Sequence, residues 1–208
     1  QDDDVDVVDV PPPTPDVALD TPPPEEISPS DVDDTTPEEV DAAPEAEVAP
    51  AAPADLIDNA NWELALPAAD PWYGDGSKAD DELCEPESYQ LENTPDGEFF
   101  EVDTSFCGYV TFQQDLLADI PEGGLVEVKI GHYPIEDGTG PYLIAVGLGD
   151  PGEEVWSTEV VPPADPGVLD GTFTADKAHS AGDPVFWHVS NHGENHWFFV
   201  HLKTVPGS

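Results

Sequence analysis

Four of the six histidines, His188, His192, His196 and His201, fall inside one short segment, residues 185–201. Imidazole is the commonest protein ligand for transition metals. His188, His192 and His196, with Glu194 among them, therefore form one candidate metal set. Strand geometry limits it. Residues four apart on a strand lie about 13 Å from each other, so His188 and His192 do not share an ion unaided, whereas His192 and His196 flank a turn. A second concentration of ligand chemistry is the acidic run 70–82. Calcium takes several oxygen ligands from a turning chain, which makes Asp75 and Asp80 candidate ligands, although the spacing does not follow the EF-hand loop. A third set is aromatic. Trp72, Tyr73, Trp156 and Trp197 carry flat faces that would stack on sugar rings, with neighbouring Asp and Asn groups bonding hydroxyls. Calcium or a transition metal is thus the cofactor chemistry in view, and a glycan or another cell-surface component is the expected partner. Catalytic fingerprints are missing: no GxSxG, HExxH, phosphate-binding loop or dinucleotide glycine motif occurs. Acidic residues are too abundant for a glycosidase-like pair to stand out. Binding is expected rather than catalysis.

The elements that must hold these groups read as strands. Short runs rich in Val, Ile, Phe, Tyr and Trp recur near 62–66, 89–92, 99–103, 109–113, 125–132, 142–148, 155–161, 171–174, 185–191 and 197–205. Turn formers such as Pro95-Asp96-Gly97, Gly149-Asp150-Pro151-Gly152 and Gly182-Asp183-Pro184 separate them. Only 114–120 reads as a helical turn. Many short strands at this spacing predict an all-β, jelly-roll-like antiparallel β-sandwich. In 125–132, Val126, Val128 and Ile130 face one way and Glu127 and Lys129 the other. Val155 and Trp156 are expected on opposite faces. Residues 185–201 read as a hairpin about Gly193-Glu194. One of its faces carries Trp187, Val189, Phe198 and Val200 as core, and the other carries His188, His192, Trp197, Phe199 and His201.

Composition splits the chain. Of its 208 residues and 47 acids, residues 1–55 hold 18 acids and no Lys, Arg, Gly, Cys or aromatic, leaving 29 acids against four lysines in 56–208. The first segment reads as a disordered acidic, Pro/Ala-rich spacer. Its proline triplets at 11–13 and 22–24 favour an extended chain. Residues 56–208 read as the β-sandwich domain, large enough for a real core. A net charge of -43 repels phosphates, so nucleic acid and anionic membranes are poor partners; it suits cations or solubility in salty water. Cys84 and Cys107, the two cysteines, predict one disulfide rather than a zinc site, and with it an extracytoplasmic setting. No apolar run is long enough to span a membrane. The start at Gln1 reads as a mature end, compatible with a lipid anchor just upstream.

The segment Gly182-Asp183-Pro184-Val185-Phe186-Trp187-His188-Val189-Ser190-Asn191-His192-Gly193-Glu194-Asn195-His196-Trp197 resembles the end of uncharacterised bacterial secreted and lipoprotein β-sandwich domains, where an HNHGxN-type hairpin closes the fold. His188, Asn191, His192, Gly193 and Asn195 match that pattern. Ser190 stands where a further histidine is common, which weakens a shared metal site. The strand Cys107-Gly108-Tyr109-Val110-Thr111-Phe112 is similar too. The resemblance implies export and a common fold, and carries no activity. The expected function is a secreted or surface-anchored, non-enzymatic module that binds glycan or another surface ligand and is displayed on an acidic spacer. The alternative is an extracytoplasmic metal-binding protein using the hairpin histidines or the 70–82 loop.

Overall fold

A computed structural model of the chain describes residues 52–73, 84–95, 97–105, 107–136, 138, 140–190 and 193–206. All belong to the unit Glu47–Ser208. The expected spacer up to residue 51 lies outside the described residues, as do Asp75, Asp80 and His192.

Among the described residues ten strands occur: β1 Glu63–Leu64, β2 Tyr89–Thr94, β3 Gly97–Asp103, β4 Tyr109–Asp115, β5 Leu125–His132, β6 Tyr142–Leu148, β7 Glu153–Val160, β8 Gly167–Thr174, β9 Pro184–Ser190 and β10 His196–Val205. They form two five-stranded antiparallel sheets, β1-β4-β9-β6-β7 and β2-β3-β10-β5-β8. Strands β3 to β10 pair in a nested series: β3 with β10, β4 with β9, β5 with β8 and β6 with β7. Successive pairs fall in alternate sheets, so one long folded-back ribbon is wrapped around the core. That is the jelly roll, with β1 and β2 added at its edges. The expected helical turn at 114–120 is not formed. Leu116 N instead donates to Asp183 O at 2.8 Å, and Ile120 and His179 exchange two backbone hydrogen bonds of 2.8 Å.

Alternation builds the core. Val126, Val128 and Ile130 of β5 are fully buried while Glu127 and Lys129 are not. Trp187 and Val189 point inward from β9, and Trp197, Phe199 and Leu202 from β10. Each such side chain contributes about 1.5–3 kcal/mol relative to exposure. Trp62, just before β1, is wedged between the sheets, with ring centroids 6.3 Å from Trp187 and 5.1 Å from Phe199. Its indole N–H donates to Asn59 Oδ1 at 3.2 Å.

Two sequence expectations are corrected here. β9 and β10 are not a hairpin, because they lie in opposite sheets and the chain crosses the sandwich between Ser190 and His196. The inward parity of β10 is therefore not tied to that of β9. Trp197 and Phe199 are core, and Phe198 and Val200 stand on the outer face. Val155 and Trp156 both pack against the core, because the β6–β7 register shifts between Val146 and Gly147. The expected disulfide Cys84–Cys107 is present, with its Cα atoms 4.9 Å apart. Cys84 leads into β2 and Cys107 into β4, so the bridge ties the two sheets together at one end.

Candidate functional site

Cross-strand register sets out one functional surface. Directly opposed residues in an antiparallel sheet share a face. Gln90 of β2 opposes Glu101 of β3, Glu101 opposes Phe198 of β10, Phe198 opposes Gly131 of β5, and Gly131 opposes Val168 of β8. This row crosses the outer face of its sheet from edge to edge. At its centre the Phe198 ring lies down on Gly131. A Cβ built on that glycine would stand 2.0 Å from Phe198 Cε2. A glycine inside a strand commonly marks such a close approach. Phe198 itself is half-buried. Phe99 contacts Phe198 at a centroid distance of 5.1 Å and Tyr133 contacts it at 5.6 Å. Tyr133 is 46% exposed and Val168 51% exposed.

Polar groups border this strip. His196 sets its ring edge against Tyr133 at 5.6 Å. Its Nδ1–H donates to Glu101 Oε1 at 2.8 Å, and its Nε2 lies 3.9 Å from Asp103 Oδ2. Asp103 also accepts the backbone N–H of Ser105 at 2.9 Å and the Ser105 hydroxyl. Further along the same face, His201 Nε2–H and Lys203 Nζ both donate to Glu127 Oε1, at 2.7 and 3.0 Å. The hydrogen bond from Lys203, then that from His201, holds the Glu127 carboxyl below the usual carboxylate range. Lys129 pairs with Asp170 at 3.6 Å. Two of the four lysines thus sit on this face, against the carboxylates Glu101, Asp103, Glu127 and Asp170. Aromatic faces flanked by hydroxyl-accepting carboxylates suit a polar ring with an apolar C–H face. The surface is open rather than enclosed. The depression lined by Ala60, Asn61, Trp62, Glu63, Asp115 and Leu117 lies at the β1–β4 edge of the other sheet.

A second aromatic feature sits on the outer face of the other sheet. The segment before the undescribed 74–83 turns back at Leu66, whose carbonyl accepts from Ala69 N and Asp70 N at 2.8 and 3.0 Å. It then crosses β9. The buried Asp70 side chain accepts Trp72 N–H at 2.9 Å, so Asp70 shapes a turn. The Trp72 indole stacks on the His188 imidazole, with centroids 4.8 Å apart and planes 16° apart, and its Nε1–H donates to Glu154 Oε2 at 3.3 Å. His188 is fully buried beneath it, and its Nδ1 shares a 2.8 Å hydrogen bond with Thr111 Oγ1. Tyr73, next in sequence, is 39% exposed.

The sequence-derived candidates therefore separate. Trp72 and Tyr73 are at the surface. Trp197 is not a platform: it is 0% exposed in the core, 5.2 Å from His132 and 6.4 Å from Tyr142. Trp156 closes the gap between β7 and β8, where a Cβ on Gly171 would meet its Nε1 at 2.0 Å. The metal set is dispersed. His188 is sealed under Trp72 on one sheet, His196 binds Glu101 on the other, and Glu194 is exposed. His132, at the end of β5, spends its Nδ1 on the carbonyl of Tyr133 at 2.8 Å. Among the described residues no three His, Cys, Asp or Glu side chains converge as a metal site. Phe99, Glu101, Gly131, Tyr133 and Phe198 were not among the sequence candidates. The signal that finds them is Gly131 at an outward position of β5, opposite an aromatic run.

No protein-family profile matches the chain, and no curated protein sequence matches it. Among solved structures it is similar to the family 11 carbohydrate-binding module from Clostridium thermocellum in complex with a β-1,3-1,4-mixed-linked tetrasaccharide, at 11% identity over 76% of this chain and 98% of that one, with a TM-score of 0.42. It is similar to TmCBM27, a carbohydrate-binding module dissected for specific mannan recognition, at 10% identity over 76% and 98%, with a TM-score of 0.43. It is also similar to the N-terminal cellulose-binding domain of β-1,4-glucanase C from Cellulomonas fimi, at 20% identity over 59% and 88%, with a TM-score of 0.35. The jelly-roll assignment rests on the strand pairing itself.

Proposed function

We propose that this protein is a non-enzymatic glycan-binding module whose ligand lies across the outer face of the β2-β3-β10-β5-β8 sheet. The observation that carries the reading is the Phe198 ring lying flat on Gly131. An aromatic ring fixed against backbone, with neighbours Phe99 and Tyr133 and the acceptors Glu101 and Asp103 alongside, is preorganised for a sugar. It loses little side-chain freedom on binding. A partly exposed ring cluster rimmed by polar groups fits an interaction site, and an open face admits a chain that runs past its ends. The acidic chain selects neutral glycans over polyuronates or sulfated chains, since like charges repel. The disulfide supports an extracytoplasmic setting, and residues 1–55 would serve as the acidic spacer that displays the domain.

The test is affinity electrophoresis of the full chain in gels containing soluble neutral glucan, mannan, galactan or xylan. At least one should retard the native protein, and Phe198→Ala should weaken that retardation by about tenfold, the loss of roughly 1.4 kcal/mol. Equal mobility of the native chain with and without every polysaccharide would overturn the reading.

A further inference from the structure

We infer that Trp72 and Tyr73 form a second, independent site for a neutral glycan on the opposite sheet, so that one domain bridges two polysaccharide chains. The inference rests on the glycan reading above for the class of ligand, and on a separate set of observations for the site. Trp72 is fixed from four directions. Its backbone N–H is held by Asp70 at 2.9 Å, and its indole N–H by Glu154 at 3.3 Å. One ring face lies on His188 at 4.8 Å and 16°, and its Cη2 edge stands 3.0 Å from where a Cβ on Gly147 would be. Pro71 beside it presses on Gly152, where a Cβ would meet Pro71 Cγ at 2.4 Å. This support has a plain physical logic. The buried His188 makes a level floor for the indole because Thr111 holds its imidazole at 2.8 Å. A tryptophan meant only to cover a sheet needs no such orientation, and a core tryptophan would not leave a partly exposed ring beside the exposed Tyr73.

The polar partners are at hand. Glu154 accepts from the indole through Oε2 and from the Ser157 hydroxyl through Oε1 at 2.7 Å. A carboxylate has further acceptor sites after these two bonds, and they are available to sugar hydroxyls. Among the described residues no lysine pairs with Glu154, and a carboxylate repels an anionic chain, so this site also favours a neutral ligand. The two sites cannot be one. They lie on the outer faces of two sheets, which pack about 10 Å apart, with a ring layer added on each side. A trisaccharide reaches one or the other. A long chain that occupied both would have to turn round the edge of the sandwich, so two chains are the simpler occupants.

The experiment is calorimetric titration of the full chain with a trisaccharide of the neutral glycan that retards it in gels. It is paired with light scattering of the full-length polysaccharide on addition of protein. The native chain should bind about two equivalents and raise the scattering by bridging chains. Phe198→Ala and Trp72→Ala should each bind one equivalent and leave the scattering flat. Tyr73→Ala and Glu154→Ala, both at exposed positions, should each weaken one of the two sites several-fold without altering the circular dichroism, which guards against misfolding of Trp72→Ala. One equivalent in the native chain, lost in Phe198→Ala and unchanged in Trp72→Ala, would overturn the second site and leave the first reading standing. One equivalent lost only in Trp72→Ala would overturn the two-site inference and the placement of the first site together. No heat with any neutral trisaccharide would overturn both the site and the class of ligand.

Discussion

The two outer faces of the sandwich solve one problem in opposite ways. On the β10 sheet an aromatic ring is laid flat by taking a side chain away: Gly131 leaves a space and Phe198 fills it. On the β9 sheet a ring is laid flat by adding layers. Thr111 holds His188, His188 carries Trp72, and a turn through Asp70 delivers the indole from another part of the chain. The first platform belongs to the sheet and is as rigid as its ladder. The second depends on a buried polar contact and a strap. Mutations should therefore separate them, one face failing by steric conflict and the other by loss of support.

Removing the shared support should have the largest effect. Replacing both cysteines, Cys84→Ser with Cys107→Ser, frees a loop of 23 residues' separation and should cost about 3 kcal/mol, read as a lower midpoint in urea. Both faces should lose stability together. A loss confined to one face would show that the bridge does not join the two sheets energetically.

Gly131→Ala comes next. The new methyl cannot coexist with the Phe198 ring, so the ring must leave, at about 1–3 kcal/mol. Glycan affinity at the β10 face should fall as far as in Phe198→Ala, while Trp72 fluorescence stays unchanged. Retained affinity in a folded Gly131→Ala protein would break the claim that the flat ring is the platform.

On the opposite face the matching change is Thr111→Val. It keeps shape but leaves the buried His188 Nδ1 without its hydroxyl partner, at about 1–3 kcal/mol. The floor under Trp72 should loosen, shifting its emission to the red. An emission maximum unchanged from the native protein would detach the platform from its support.

The smallest effect expected is on pH dependence. Glu127 is held below the carboxylate range by Lys203 and His201. A depressed folded pKa adds stability that is complete above the unfolded value of about 4.3 and lost as pH falls through the folded value. Glu127 is about one-third exposed, so the term should be about 0.5 kcal/mol or less. The native-minus-Glu127→Gln difference in melting temperature should shrink as pH falls from about 4.5 through the folded value. A native-minus-variant difference that grew on acidification would contradict the sign.

How much of this was legible in the sequence depends on whether a segment's pattern is local. β5 was legible to the residue, because Val126, Val128 and Ile130 alternate with Glu127 and Lys129 and parity needs no outside information. The disulfide was legible from a count of two cysteines. The run Trp197-Phe198-Phe199-Val200 is apolar on both faces, so its parity could be set only by a neighbour. The neighbour assumed was β9, from the short connection. The true neighbours, β3 and β5, lie far off in sequence. That error placed Trp197 outside and Phe198 inside and hid the platform. Gly131, outward in β5 and therefore calling for something to cover it, was the usable clue. Trp72 was a candidate by residue type, and it stands half-buried on the outer face of the β9 sheet. Its seat on His188 spans more than a hundred residues and had no local signal.

The most direct test of the central claim is amide chemical-shift mapping of the full chain, titrated with a neutral oligosaccharide that retards it in gels. Glu101, Gly131 and Phe198 should shift first and furthest, as ligand settles on the face where the ring lies over glycine. Perturbations that spare those three residues while saturating elsewhere would contradict the account.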